Sequence, residues 1–196
     1  MRYRHKNGIT LRKIGRDDLG LLLRLKEESW FGTHRVAILN ETDQASWFES
    51  VTKSSTDLFL MAEGGDHNSR LGLFKVAGID WMNRSAHVAW DVFSEHRGQG
   101  YGKKVVEAGT DLCFEIQNLH RLDLEILLPN EASHKCALYA GYYPYGKRKA
   151  AIYKCGQYVD SWCLGLLAEE WNLLGRVETL RNQSPSGTCN LNYTWG

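Results

Sequence analysis

The nine residues His96-Arg97-Gly98-Gln99-Gly100-Tyr101-Gly102-Lys103-Lys104 constrain this chain more than any other stretch. Before them, His87 to Phe93 has the two-residue period of a strand. After them, Val105, Val106, Gly109, Leu112, Cys113 and Ile116 have the spacing of an amphipathic helix. The bend therefore delivers a strand into a helix N-terminus, where backbone N–H groups lack intrahelical partners and the helix dipole is positive. Glycine has no Cβ, so an anion can come close to the backbone. The segment predicts a pyrophosphate cradle, with Arg97 and Lys103 adding charge at its edges. Taken alone, it is equally compatible with a turn that holds no ligand. A nucleotide P-loop would need Gly at position 97 and Ser or Thr at 104, where the chain has Arg97 and Lys104. A dinucleotide fingerprint would need Gly at 103 and would open a βαβ unit, whereas Lys103 follows a run of antiparallel strands.

The flanking pattern places this bend in a fold. Ile9 to Ile14 reads as a short strand. Asp17-Asp18 offers a cap before the helical stripe Leu19, Leu22, Leu23 and Trp30, and Thr42 or Asp43 one for a second helix through Trp47, Phe48 and Val51. Leu58–Ala62, Leu71–Ile79 and His87–Phe93 follow as strands, with turns around Gly64-Gly65-Asp66-His67-Asn68 and Asn83. Beyond the helix, Leu122, Leu124, Ile126 and Leu128 alternate with Asp123 and Glu125, giving a strand that stops at Pro129. Residues 130–140 read as a helix ended by Gly141, and Lys149–Lys154 with Tyr158–Leu166 as a hairpin over Cys155-Gly156-Gln157. The order predicts an α/β (mixed α+β) sandwich around one sheet, as a single domain over 1–181. The segment 182–196 lacks periodicity and reads as a loose tail.

Composition removes several classes of function. Lys and Arg number 24 against 23 Asp and Glu, which gives no field for binding a nucleic-acid backbone. No apolar run approaches a membrane span, and the basic start is not followed by a signal-peptide core, so a cytoplasmic protein is expected. The five cysteines are widely spaced without a Cys-x-x-Cys, so they read as reduced packing residues. His134 and Cys136 point to different sides of a helix, and no metal site is expected.

Arg97-Gly98-Gln99-Gly100-Tyr101-Gly102 resembles the acyl-CoA pyrophosphate loop of the GNAT acetyltransferase superfamily. The flanks agree: Val92 to Arg97 resembles the strand end before that loop, and Asn130, Ser133 and Gly141-Tyr142 fall where such sequences carry Asn-x-x-Ala/Ser and a Gly-aromatic pair. Tyr145-Gly146, Gly156–Asp160 and Leu167–Trp171 look like the closing hairpin of the RimJ/RimL-type branch. Asp43–Phe48 is also similar to that branch and to its amino-sugar-acetylating relatives. The resemblance spans roughly Ile9 to Trp171.

It implies a central, mostly antiparallel sheet splayed at two strands, matched here by His87–Phe93 and Leu122–Leu128, with acetyl-CoA as cosubstrate lying between them. Amides near Val92 and Phe93 would polarise the thioester carbonyl. The loop residues Arg97, Gly98, Gln99, Gly100, Tyr101, Gly102 and Lys103 would hold the diphosphate, and Asn130 the pantetheine. The acceptor would be an amine, which must lose a proton before it attacks. His87, Ala89, Asp91 and Phe93 share one strand face, so His87 and Asp91 are the candidate bases, with Glu95 third. Many members place a proton-donating Tyr seven residues after the Asn; here that position is Ala137. Tyr139 points nearly the opposite way, which leaves Ser133. Most of the seven tryptophans read as core, but Trp30 and Trp47 sit where the resemblance puts the acceptor. Lys147-Arg148-Lys149 reads either as a clasp for an acidic acceptor or as a solvated hairpin edge.

The expected activity is direct acetyl transfer to a primary amine: a protein N-terminus, an amino-sugar nucleotide or a small amine, in that order. No nucleophile elbow supports a covalent intermediate. A homodimer is compatible with the sequence, and nucleic-acid or membrane partners are not expected. The rival is a non-catalytic acyl-CoA-binding or regulatory module of the same fold.

Overall fold

Alternation with a period of two dictates the frame. In β3 (Leu58–Gly64), Leu60 and Ala62 pack on one side of the sheet and Met61 on the other; in β4 (Ser69–Asp80), Phe74 and Val76 oppose Leu73. The computed structural model describes residues 2–29, 40–65 and 69–174. Trp30 and the tail from 182 lie outside the described residues. The remaining strands are β1 (Arg2–Arg4), β2 (Thr10–Lys13), β5 (Ser85–Val92), β6 (Arg121–Leu127), β7 (Tyr143–Lys154) and β8 (Gln157–Leu167). They form one eight-stranded sheet in the order β1-β2-β3-β4-β5-β6-β8-β7. Every neighbouring pair is antiparallel except β5 and β6.

Helices cover both faces. α1 (Leu19–Glu28) and α2 (Glu41–Lys53) bring Leu22, Leu25 and Phe48 onto Met61, Leu73 and Phe93. α3 (Tyr101–Glu115) and α4 (Glu131–Tyr139) close the other face over a larger core, in which Val105, Leu112 and Ala137 meet Val88, Leu122, Leu124 and Leu164. α5 (Ala168–Leu173) adds Trp171, whose ring lies 5.3 Å from that of Phe114.

The mixed sheet and its splay agree with the sequence reading. β5 and β6 pair only at Ser85–Arg121, Ala86–Leu122 and His87–Asp123. Beyond these positions β5 stays with β4 and β6 with β8, and the two strands part toward their C-terminal ends. Several local expectations are corrected. β1 was not foreseen, because Arg2-Tyr3-Arg4 carries no apolar alternation; it is held by pairing with β2 and by the Tyr3 hydroxyl bonded to Glu115 at 3.0 Å. Asn40, not Thr42 or Asp43, caps α2, and Asp43 returns the bond to the Asn40 N–H from the third helical position. Asp18 stands at the N-cap position of α1 as expected, but its side chain makes no cap bond there and instead accepts the Gly15 N–H at 2.7 Å. It is buried and gripped by Arg12 and Arg70. β7 starts at Tyr143, because register shifts at Pro144–Gly146 and Arg148–Ile152 hide its alternation. Cys155 is exposed in the hairpin turn where the sequence placed it, and is not one of the buried packing cysteines.

Candidate active site

The ladder between β4 and β5 decides which amides face the splay. The Phe93 N–H donates to the Leu71 carbonyl at 3.0 Å. In an antiparallel ladder hydrogen-bonded pairs alternate, so the next pair, Gly72–Val92, is of the non-hydrogen-bonded kind. Val92, Trp90 and Val88 therefore turn their N–H and C=O groups away from β4, toward β6. On the opposite wall, the Leu128 N–H donates to the Asp160 carbonyl at 3.0 Å, which by the same alternation turns the backbones of Leu127, Glu125 and Asp123 toward β5. Val88 and Asp123 still belong to the short β5–β6 ladder at His87–Asp123; beyond it, Trp90 and Val92 on one wall and Glu125 and Leu127 on the other turn toward the cleft main-chain polar groups that neither strand takes from the other. Gly72 is required for it: a Cβ there would lie 2.1 Å from the Asp91 carbonyl oxygen and 2.9 Å from the Val92 Cα.

Phe93 does not fit the role the sequence suggested. Its N–H is occupied by Leu71, and its ring is fully buried under α1, with the Arg24 guanidinium 4.8 Å from the ring centroid. Trp90, which was missed, shares the orientation of Val92. The signal was available in the strand period, since amides on one edge recur at every second residue.

The glycine-rich bend lies at the open end of this cleft. A single 3-10 turn over Ser94–His96 leads to Arg97, then Gly98 (φ +75°), Gly100 (φ +83°) and the start of α3 at Tyr101. The left-handed φ of Gly100 is what lets the chain enter the helix directly, and a Cβ at Gly98 or Gly100 would meet nothing within 4 Å, so the bend faces open space. No carbonyl or side chain among the described residues accepts the N–H groups of residues 98–103. The α4 N-terminus stands at the same end, because it follows β6 as α3 follows β5. This arrangement suits an anionic diphosphate, with the attached arm running between the parted strands.

Arg97 departs from its expected place at the edge of the cradle. Its guanidinium folds back, Nε donating to the Val92 carbonyl at 2.9 Å and Nη2 to Ser29 Oγ at 3.2 Å, so it ties the end of β5 to the end of α1. The Gln99 side-chain amide donates to the Glu95 carbonyl at 2.8 Å, the Tyr101 ring stands edge-on to His96, and the Lys103 ammonium lies 5.0 Å from the Tyr139 ring centroid. Asn130 Oδ1 accepts the Ser133 N–H at 3.2 Å, capping α4. Ser133 is half-buried in the first turn of α4, Ala137 is fully buried, and Tyr139 is exposed beside Lys103.

The side chains of His87, Ala89 and Asp91 share the α1/α2 face. Asp91 is ion-paired to Lys75 at 2.5 Å. Asp123, fixed by Nε and Nη2 of Arg121 (2.7 and 2.6 Å), and Glu125, held by Arg148 at 2.6 Å and by the Ser161 hydroxyl, share this face and were not singled out as site residues. The alternation of β6 already placed both opposite its apolar side. His87 is exposed and makes no hydrogen bond to the described residues. Trp47 stands on the same side, its ring edge-on to Phe59 at 5.0 Å with the Lys26 ammonium 4.4 Å from its centroid. Burial raises the thiol pKa values of Cys163 and Cys136. The buried Cys113 thiol is raised well above the usual thiol range. None of these three is a ready thiolate nucleophile.

Comparison with known proteins agrees with this geometry. Residues 9–142 match the acetyltransferase (GNAT) domain. A spermidine N(1)-acetyltransferase of Vibrio cholerae serotype O1 is 22% identical over 165 residues, covering 78% of this chain and 88% of that protein. The crystal structure of spermidine N-acetyltransferase from Vibrio cholerae in complex with CoA and spermine superposes with a TM-score of 0.81 at 19% identity, over 85% of this chain and 99% of that one. Mutant forms of the spermidine/spermine N-acetyltransferase SpeG from Vibrio cholerae give a TM-score of 0.78 at 18% identity, over 87% of this chain and all of theirs. With a domain match spanning most of the chain and the splayed sheet that accommodates the thioester carrier, this chain belongs to the GNAT acetyltransferase family, the acetyl-CoA-dependent N-acetyltransferases.

Proposed function

We propose that the protein transfers acetyl from acetyl-CoA directly to the primary amine of a small molecule. The observation that carries this reading is the continuity of the bend with the cleft: the N–H groups of residues 98–103, which no acceptor among the described residues takes, lie at the mouth of a gap lined by the backbones of Trp90 and Val92. The glycine bend holds the diphosphate. The Trp90 and Val92 amides hold the pantetheine arm and polarise the thioester carbonyl, stabilising charge as it develops on oxygen. Asn130 orients the arm from the α4 side, and Ser133, on the same helical turn, is placed to protonate the departing thiolate.

The amine approaches from the α1/α2 face. Of the ionisable groups that β5 and β6 present there, Asp91, Asp123 and Glu125 are each bound to a cation. His87 stands where the strands part and has no competing partner among the described residues, so it accepts the ammonium proton, directly or through a water. The raised thiol pKa values favour direct attack over an acyl-enzyme. A small acceptor is preferred over the RimJ/RimL-type peptide N-terminus because the curated relative acts on a small amine.

The test is calorimetric titration with acetyl-CoA, followed by CoA release over a panel of primary amines. Saturable binding, weakened in Gly100→Trp by the strain at φ +83° and by the bulk placed on the cradle, and turnover with a small amine are expected. Undiminished affinity in Gly100→Trp removes the cradle. Binding without turnover on any amine supports a non-catalytic module instead.

A further inference from the structure

The acceptor side of the cleft holds a cation with no carboxylate partner among the described residues. Lys26 lies in the last turn of α1, a position the helix dipole favours for any lysine. Its ammonium is nevertheless turned inward, 4.4 Å from the Trp47 ring centroid, and donates to Gln44 Oε1 at 2.8 Å. An ammonium has no acceptor lone pair, so the amide of Gln44 must present its oxygen to Lys26 and its nitrogen elsewhere. Gln44 is 2% exposed, and its Nε2 is buried without a hydrogen-bond partner. The Lys26 ammonium has one acceptor in Gln44 Oε1, while the buried Gln44 Nε2 has none, an arrangement that costs free energy unless something supplies one.

The surrounding charges sharpen the point. Lys75 is Phe59's cross-strand partner, and Phe59 packs on Trp47, so a second ammonium stands next along the wall. The Lys26 pKa is lowered, by burial first and by the charge of Lys75 second. Asp91, Asp123 and Glu125 on the same face are already neutralised by Lys75, Arg121 and Arg148, and the sequence from 30 to 39 contains no Asp or Glu. A polycation would find no uncommitted carboxylate on these strands and would meet Lys26.

We propose that Lys26 and Gln44, walled by Trp47, form an anion subsite for the acceptor, so that the acetylated amine belongs to a small molecule that also carries a carboxylate or phosphate. This rests on the acetyltransferase reading above and departs from the polyamine substrate of the curated relative. An anion seated there would give Gln44 Nε2 its acceptor and Lys26 its counter-charge. It would also leave the amine free to reach the throat of the splay at His87.

The experiment uses the full chain saturated with CoA, so that the glycine bend is filled. Phosphate and acetate are titrated while the 15N signal of the Gln44 side-chain amide is followed. A saturable shift is expected with at least one of them, and which one responds separates a phosphate-bearing from a carboxylate-bearing acceptor. Lys26→Gln should weaken it tenfold or more with CoA affinity unchanged. In turnover, phosphoethanolamine or β-alanine should exceed ethanolamine and β-alaninamide in kcat/KM by about tenfold, an advantage lost in Lys26→Gln. No shift with either anion, or a kcat/KM highest for spermidine, overturns the subsite while leaving the acetyltransferase intact. Loss of CoA binding or of all turnover in the unaltered protein would instead overturn the acetyltransferase reading.

Discussion

The two faces of the sheet are built for different work. On the α3/α4 side the core is continuous, with Val105, Leu112, Leu122 and Leu164 all fully buried, and the ionisable groups it encloses are used structurally. Asp111 of α3 is the example: one carboxylate oxygen bonds the His5 ring at 2.9 Å and the other accepts the Trp171 indole N–H at 2.7 Å, so α3 fastens both the N-terminal strand and α5. On the α1/α2 side the apolar cluster is small, and the strand residues beyond it are His87, Asp91, Asp123 and Glu125 with their lysine and arginine partners. Stability is concentrated where water is excluded. Reactive and recognising groups sit where the same strands show their polar face.

Substitutions can break that division, and the largest effect should fall on rate alone. His87→Ala should lower kcat for the preferred amine by about 10²–10⁴-fold with an unchanged melting temperature, because the ring is exposed and bonds to none of the described residues. Unchanged kcat would move proton acceptance to another group. Asp111→Ala should do the reverse: it strands His5 and Trp171 together and should cost about 3–5 kcal/mol in denaturant unfolding, since breaking a buried pair leaves its partner uncompensated. A loss below about 1 kcal/mol would mean that the fastening contributes little.

The same truncation on the two faces sharpens the comparison. Leu122→Ala, in the continuous core, should cost about 4 kcal/mol, and Leu25→Ala, in the small cluster, about 2 kcal/mol, because the smaller site can collapse more readily. Equal losses would show that the small cluster is as tightly determined as the large one. The smallest effect is that of pH. Burial lowers the His5 pKa, but the hydrogen bond and the charge of Asp111 outweigh it, and the net shift is upward from 6.5. A pKa raised in the folded state contributes stability that is complete below the unfolded value and disappears as pH rises through the folded one. The difference in unfolding free energy between the native chain and Asp111→Asn should therefore shrink above about pH 6.5. A difference that grows with pH would reverse the assignment.

The sequence alone made most of the frame legible, because it is written in periods. The alternation of residues 58–62, 71–79, 87–93 and 122–128 corresponds to β3, β4, β5 and β6, and the stripe from Val105 to Ile116 to α3. Elements that carry no period escaped: β1 is specified by its neighbour and by Tyr3, and the first part of β7 is concealed by bulges. Caps were placed to within a turn but on the wrong residue, since Asn40 and Asp43 both suit the α2 end and only the chain's entry angle selects between them.

Local chemistry was likewise enough to mark the glycine bend, because free amides, positive φ and a helix N-terminus are properties of a few consecutive residues. Facing was not. That Phe93 spends its N–H on Leu71 depends on the register of β4, which brings together residues 22 positions apart across a turn, and Trp90 inherits its orientation from the same register. Arg97 reads as a phosphate ligand in the sequence, yet α1 brings Ser29 and the Glu28 carbonyl within its reach and draws it back. Lys26 and Gln44 lie eighteen positions apart on two helices and have no shared motif; only the packing of α1 against α2 over Phe59 and Trp47 brings their donors together. Periodicity and backbone conformation are carried by neighbours in the chain, and one strand of sequence contains them in full. Partnership between side chains is settled by register and helix packing, which come into existence only when the sheet closes around its core.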